Sequence, residues 1–128
     1  MLKNNNVTAW LRKAEEDYDG ATSLMRKRRP PTDIICFHCQ QCIEKYFKAL
    51  LTLHRIYFPK THDLLELSKL LLSKEPLLQG LDDVLKRLTP YAVNFRYPGD
   101  EATVEDAKEA VKIMKNVRSL LRERLGLK

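Results

Sequence analysis

Residues 33–55 read DIICFHCQQCIEKYFKALLTLHR, a run with no Gly or Pro that is entered through Pro30-Pro31. Placed at about 100° per residue, Ile35, Cys39, Cys42, Ile43, Tyr46, Phe47, Ala49, Leu50 and Leu53 cover a broad apolar arc. His38, Gln41, Lys45 and Lys48 fall on one narrow polar stripe, with Glu44 at its edge. A helix apolar over so wide an arc is packed on several sides. The run therefore predicts a long central helix, and its polar stripe must either reach solvent or line a site.

Upstream, Val7, Trp10, Leu11, Ala14, Tyr18, Ala21, Leu24 and Met25 recur at three- and four-residue steps, an amphipathic helix over about residues 8–27. Glu15, Glu16, Asp17 and Asp19 are expected on or near its outer face. Arg26-Lys27-Arg28-Arg29 close it, where cations suit the exposed carbonyls of a helix end. Pro30-Pro31-Thr32-Asp33 then reads as a break followed by an N-cap for the central helix. Downstream, Pro59 marks a loop, and Thr61 is expected to cap a short third helix with Asp63 and Glu66 in its first turn. Leu77, Leu78, Leu81, Val84, Leu85 and Leu88 predict a fourth helix, weakened at its start by Gly80. Residues 90–102, PYAVNFRYPGDEA, are the one stretch without helical periodicity, and Tyr97-Pro98-Gly99-Asp100 reads as a turn. Thr103 then caps a last helix, with Glu105 and Asp106 in its first turn and Gly126 as its stop. No alternating β-branched run suggests a sheet. The expected fold is all-α: a single domain, residues 1–128, forming an up-and-down antiparallel bundle of about five helices, three of them long.

Charged residues make up 31% of the 128 positions, interspersed in sign, and no segment holds the roughly 18 uninterrupted apolar residues of a membrane helix. No apolar signal core precedes residue 11, so a cytoplasmic protein is expected. The formal net charge of +6 favours an anionic partner: a nucleotide, RNA or an acidic protein.

Cys36, His38, Cys39 and Cys42 invite a zinc reading, but a zinc knuckle carries its Cys pair on a turn and needs a second pair elsewhere. Inside a helix, these thiols read instead as small apolar core residues, and neither metal nor cofactor is expected. A thiolate nucleophile at Cys42, with His38 as base, fits the spacing but not mid-helix burial. No phosphate-cradling glycine loop and no nucleophile elbow occur.

The combined pattern resembles the HEPN (higher eukaryotes and prokaryotes nucleotide-binding) family. The matching pieces are Ala14-Glu15-Glu16-Asp17; Phe37-His38-Cys39-Gln40-Gln41 followed by Glu44-Lys45-Tyr46-Phe47-Lys48-Ala49-Leu50; Thr61-His62-Asp63-Leu64; and Arg96-Tyr97-Pro98-Gly99 before the last helix. The resemblance implies a helical bundle that dimerises, often encoded beside a minimal nucleotidyltransferase. It also implies, for some members, ribonuclease activity in toxin–antitoxin systems. The ribonucleases carry an Arg, four to six residues, then a His. Here Arg96 stands in place, but Glu101, Ala102 and Thr103 occupy the positions of the His, and no His follows His62. Metal-independent cleavage needs a group that moves protons near neutral pH, so the reading leans away from an enzyme.

The resemblance thus implies a non-catalytic homodimer that binds a nucleotide or other anionic ligand and works with a separate nucleotidyltransferase. Arg96 and Tyr97, Lys45 and Lys48, and His38, Gln41 and Glu44 would supply the ligand contacts. The alternatives are a metal-independent ribonuclease toxin acting on RNA and a structural dimerising adaptor.

Overall fold

The computed structural model describes residues 5–93 and 97–127. Five α-helices run in order: α1 (Asn5–Met25), α2 (Thr32–Leu53), α3 (Leu64–Leu71), α4 (Asp82–Leu88) and α5 (Val104–Arg124). No strand occurs among the described residues. α2 lies at the centre, packed along α1 on one side and α5 on the other, with α3 and α4 closing one end. This is the expected all-α bundle. No helix among the described residues is long and apolar enough to cross a membrane.

The apolar arc of α2 is the core. Ile35, Cys36, Cys39, Cys42, Ile43, Tyr46, Phe47, Leu50 and Leu51 are all fully buried. They meet Ala14 and Ala21 of α1, Ala107, Ala110, Met114, Val117 and Leu121 of α5, and a cap of Leu64, Leu67, Leu71, Leu78, Leu85 and Leu88. Small residues at the α1 and α5 seams let both helices approach α2 closely, and the three thiols fill that narrow space.

Local chemistry sets the helix ends. Thr103 and Asp106 form a reciprocal capping box at the start of α5, with each side chain accepting from the other's backbone N–H. At its far end, Gly126 (φ 80°) donates to the Glu123 carbonyl and Leu127 to Arg122, the paired bonds of a left-handed helix stop. α2 ends in the same motif, with Arg55 donating to Thr52 and Ile56 to Leu51, but the left-handed position holds Arg55 at φ 59°. The Tyr97–Asp100 turn is closed by Asp100 N–H on the Tyr97 carbonyl, with Gly99 supplying the positive φ of 97°.

Four local expectations change. α3 is capped by Asp63, whose carboxylate accepts from Leu65 and Glu66, while Thr61 accepts from Asp63 N–H one step earlier. A carboxylate aimed at the helix start outcompetes a hydroxyl two residues upstream. The fourth helix is split: residues Pro76–Leu81 form 3-10 turns and regular helix begins at Asp82, because Pro76 and Gly80 disfavour a continuous ladder. α1 stops at Met25, so the Arg26–Arg29 cations stand exposed in the turn beyond it. Finally, Thr32 and Asp33 do not cap α2. Thr32 donates to the Ala102 carbonyl at 2.8 Å and Asp33 accepts from Ala102 N–H at 2.7 Å, tying the start of α2 to the start of α5.

Candidate functional site

The polar stripe of α2 neither faces open water nor lines an empty cleft. It is taken up by partners from α1 and from the loop before α3, in two clusters. In the first, Asp17 of α1 is buried at 7% exposure and receives two residues of α2. Lys45 Nζ donates to its Oδ2 at 2.6 Å, and His38 Nδ1 lies 2.8 Å from its Oδ1. The His38 ring lies against Gly20, where any Cβ would come within 3.2 Å of the imidazole. A mid-helix Gly costs about 1 kcal/mol against Ala, and here it makes room for the ring.

In the second cluster Glu44, 3% exposed, is the acceptor for four donors. Lys48 Nζ reaches Oε2 at 2.9 Å, while His62 Nδ1, Gln40 Nε2 and Gln41 Nε2 reach Oε1 at 2.9, 3.1 and 3.3 Å. Gln40 Nε2 also donates to the His62 carbonyl, and Gln41 Nε2 to Gln40 Oε1. Burial by itself would raise the Glu44 carboxyl, but the hydrogen bonds from Lys48, His62 and Gln40 hold it below the usual carboxylate value. Lys48 also sits 5.5 Å and 5.9 Å from the ring centroids of Trp10 and Phe58, a cation held by a carboxylate and two aromatic rings.

A third cluster joins α1 to α5. Arg118 grips Glu15 with two bonds of 2.7 Å and stacks 3.8 Å from the centre of the Tyr18 ring. Tyr46 of α2 donates its hydroxyl to the same Glu15 and accepts from Arg122. Burial would raise the Glu15 carboxyl, yet the Arg118 and Tyr46 hydrogen bonds bring it below its ordinary value. Burial and the Glu15 contact push the Tyr46 phenol up to about 12. At the other end, buried Glu75 is held by His54 at 2.8 Å and Arg124 at 2.7 Å. The acidic residues of α1 thus divide. Asp17 and Glu15 turn inward or along the seams rather than outward as expected, because Lys45, His38 and Arg118 supply the charge that makes burial tolerable.

The structure therefore brings His38 and Lys45 together on Asp17, and Gln41, Lys48 and Glu44 together around Glu44. Tyr97 is 72% exposed on its turn, and Arg96 lies outside the described residues. Asp17, Gln40 and His62 complete the two clusters and were not among the expected ligand residues. Asp17 had a legible signal: it stands three residues after Ala14 and four before Ala21, on the buried face.

The three thiols are buried. Burial pushes Cys36 up to about 12, with Asp106 and Asp33 adding to it, and burial likewise raises Cys39 and Cys42. A protonated, enclosed thiol is not a nucleophile. Among the described residues, no three His, Cys, Asp or Glu side chains gather where they could hold a metal ion.

A sequence profile of the HEPN domain matches residues 7–124. The Methanocaldococcus jannaschii protein named "Putative toxin MJ1304" is 31% identical over 139 aligned positions, which take in 93% of this chain and 90% of that protein. A crystal structure of ST0689, described as an archaeal HEPN homologue, superposes with a TM-score of 0.67 at 23% identity. That match covers 92% of this chain and 96% of the other and shows a common fold.

Proposed function

The chain belongs to the HEPN family, and from that premise we propose that it is a non-catalytic member, binding a nucleotide or other anion beside a separate minimal nucleotidyltransferase. The observation that carries this reading is the composition of the Arg96 segment. Positions 101–103 hold Glu, Ala and Thr where a cleaving member has its His. The three His of the chain are each engaged by a carboxylate elsewhere: His38 by Asp17, His54 by Glu75 and His62 by Glu44. With no His following Arg96 in the sequence, the segment keeps a fork suited to phosphate or carboxylate and lacks the proton carrier of the cleavage motif.

Lys45 and Lys48 contribute through position. An anion reaching either ammonium must compete with Asp17 or Glu44, so the first contact falls to Arg96 and exposed Tyr97, while the His38, Gln41, Glu44, Lys45 and Lys48 clusters brace α2 against α1 and the loop before α3. Ile34 and Phe37, exposed at 51% and 40% one helical turn apart, leave an apolar strip on α2. Val104, two residues beyond Ala102 of the Thr32–Ala102 tie at the start of the same helix, is exposed as well. That strip supports a homodimer built across this end of the bundle.

The test is whether a minimal nucleotidyltransferase is encoded beside this gene and, if so, whether the two proteins associate on co-expression. Light scattering should report a stable complex, and a nucleoside triphosphate or short RNA should raise the melting temperature of the wild type by more than that of Arg96→Ala. The absence of such a neighbour, or of a complex with it, sinks the reading. The second reading, a ribonuclease toxin, is favoured by the printed name of the 31%-identical relative, and RNA cleavage by the purified chain would establish it.

A further inference from the structure

A groove of about 530 Å³ is bounded by Asn6, Ala9, Trp10 and Lys13 of α1, Thr52 of α2 and Phe58 of the following loop. That volume falls in the range of about 300–1,000 Å³ typical of small-molecule sites. Its floor is built rather than accidental. Trp10 and Phe58 meet edge to face, with centroids 6.3 Å apart at 64°. Lys48, fixed on buried Glu44 at 2.9 Å, lies within 6 Å of both ring centroids and pins the pair from behind. Thr52 is tied down by its own bond to the Lys48 carbonyl at 2.7 Å.

The rim differs from the floor. Lys13 is the one ionisable residue lining the groove; it is exposed and makes no ion pair among the described residues. No carboxylate lines the groove among the described residues. An indole face buttressed edge to face by Phe58, with a cation at its rim, is complementary to a planar ring that carries a negative group.

We infer that this groove binds a planar aromatic anion, its ring stacked on Trp10 and its phosphate or carboxylate on Lys13. Its described lining includes no residue of the Arg96 segment. A ring linked to a phosphate can arrive as a free mononucleotide or as the phosphorylated end of an RNA strand, and the chemistry of recognition is the same for both.

Trp10 is the sole Trp of the chain and lines this groove, so its fluorescence is a direct probe of occupancy. Titration with AMP should quench or shift the emission saturably, adenosine should do so only at much higher concentration, and inorganic phosphate should not. Lys13→Ala should weaken AMP about tenfold, the worth of one charge-assisted contact, and leave adenosine within twofold. Ala9→Leu, which adds bulk to the groove lining without removing a polar group, should abolish the response to both. A 5′-phosphorylated oligoadenylate that binds more tightly than AMP would assign the groove to an RNA end; the reverse order would assign it to the free nucleotide. No emission change with millimolar AMP, equal binding of adenosine and AMP, or a Lys13→Ala protein that binds AMP like the wild type would overturn the inference.

Discussion

Glu44→Gln is the substitution that most directly perturbs the polar interior. It keeps the shape of the side chain and removes the charge that four donors share. Lys48, with a side chain only 10% exposed beside a Glu44 side chain at 4%, is then left as a buried ammonium without its counter-ion. Breaking a buried pair by removing one member costs about 3–5 kcal/mol. The rings of Trp10 and Phe58 retain part of the cation's stabilisation, and the amide oxygen still accepts one bond, so the lower end, about 3 kcal/mol, is expected. For a domain of this size that lowers Tm by roughly 10 °C. Adding Lys48→Met removes the stranded charge and fills the same volume, and the double variant should recover more than half of the loss. Urea unfolding followed by far-ultraviolet circular dichroism gives both numbers. A single variant within about 0.5 kcal/mol of the wild type, or a double variant no better than the single, would show that Glu44 is not the anchor described.

Arg55→Gly should stabilise the fold by about 1 kcal/mol, since a left-handed φ of 59° penalises any residue with a Cβ; an unchanged or lower urea midpoint would contradict this. The Glu44 and Glu15 carboxyls sit below their ordinary value of 4.5 in the folded protein, so they add stability above that pH and lose it as the pH falls through their folded values. Wild-type stability should therefore decline below about pH 4.5, and the Glu44→Gln profile should be flatter there; parallel profiles would be the contrary result. Cys36, Cys39 and Cys42 should resist a thiol reagent at pH 8 in the native protein and react together on unfolding; rapid native labelling would place a thiol at the surface. Phe37→Glu should halve the mass seen by light scattering at micromolar concentration if the exposed strip on α2 is the dimer face, and an unaltered dimer would move that face elsewhere.

The fold was legible because its signals are local. The period of Ile35, Cys39, Cys42, Ile43, Tyr46 and Phe47 marks α2, while Thr103 with Asp106 and Gly126 mark the two ends of α5, all within a turn or two of chain. The polar clusters were less legible, because their partners are distant in sequence. Glu15 and Arg118 are separated by 103 positions and Glu75 and Arg124 by 49, and no periodicity announces such a pair. The choice between solvent and ligand for the α2 stripe overlooked a third outcome, in which a neighbouring helix supplies the counter-charge. Asp17 makes that outcome real, and its place between Ala14 and Ala21 was the available clue. The Thr61 cap failed on a narrower point: two capping residues stood two positions apart, and the carboxylate won.

The central claim, that this HEPN chain does not cleave RNA, is tested most directly by incubating the repurified protein with transfer RNA and single-stranded RNA in the presence of a chelator. Full-length RNA after prolonged incubation, identical for wild type and Arg96→Ala, is the predicted result. Cleavage that persists through repurification and disappears in Arg96→Ala would contradict the account and establish a ribonuclease whose proton carrier is not the His of the usual motif.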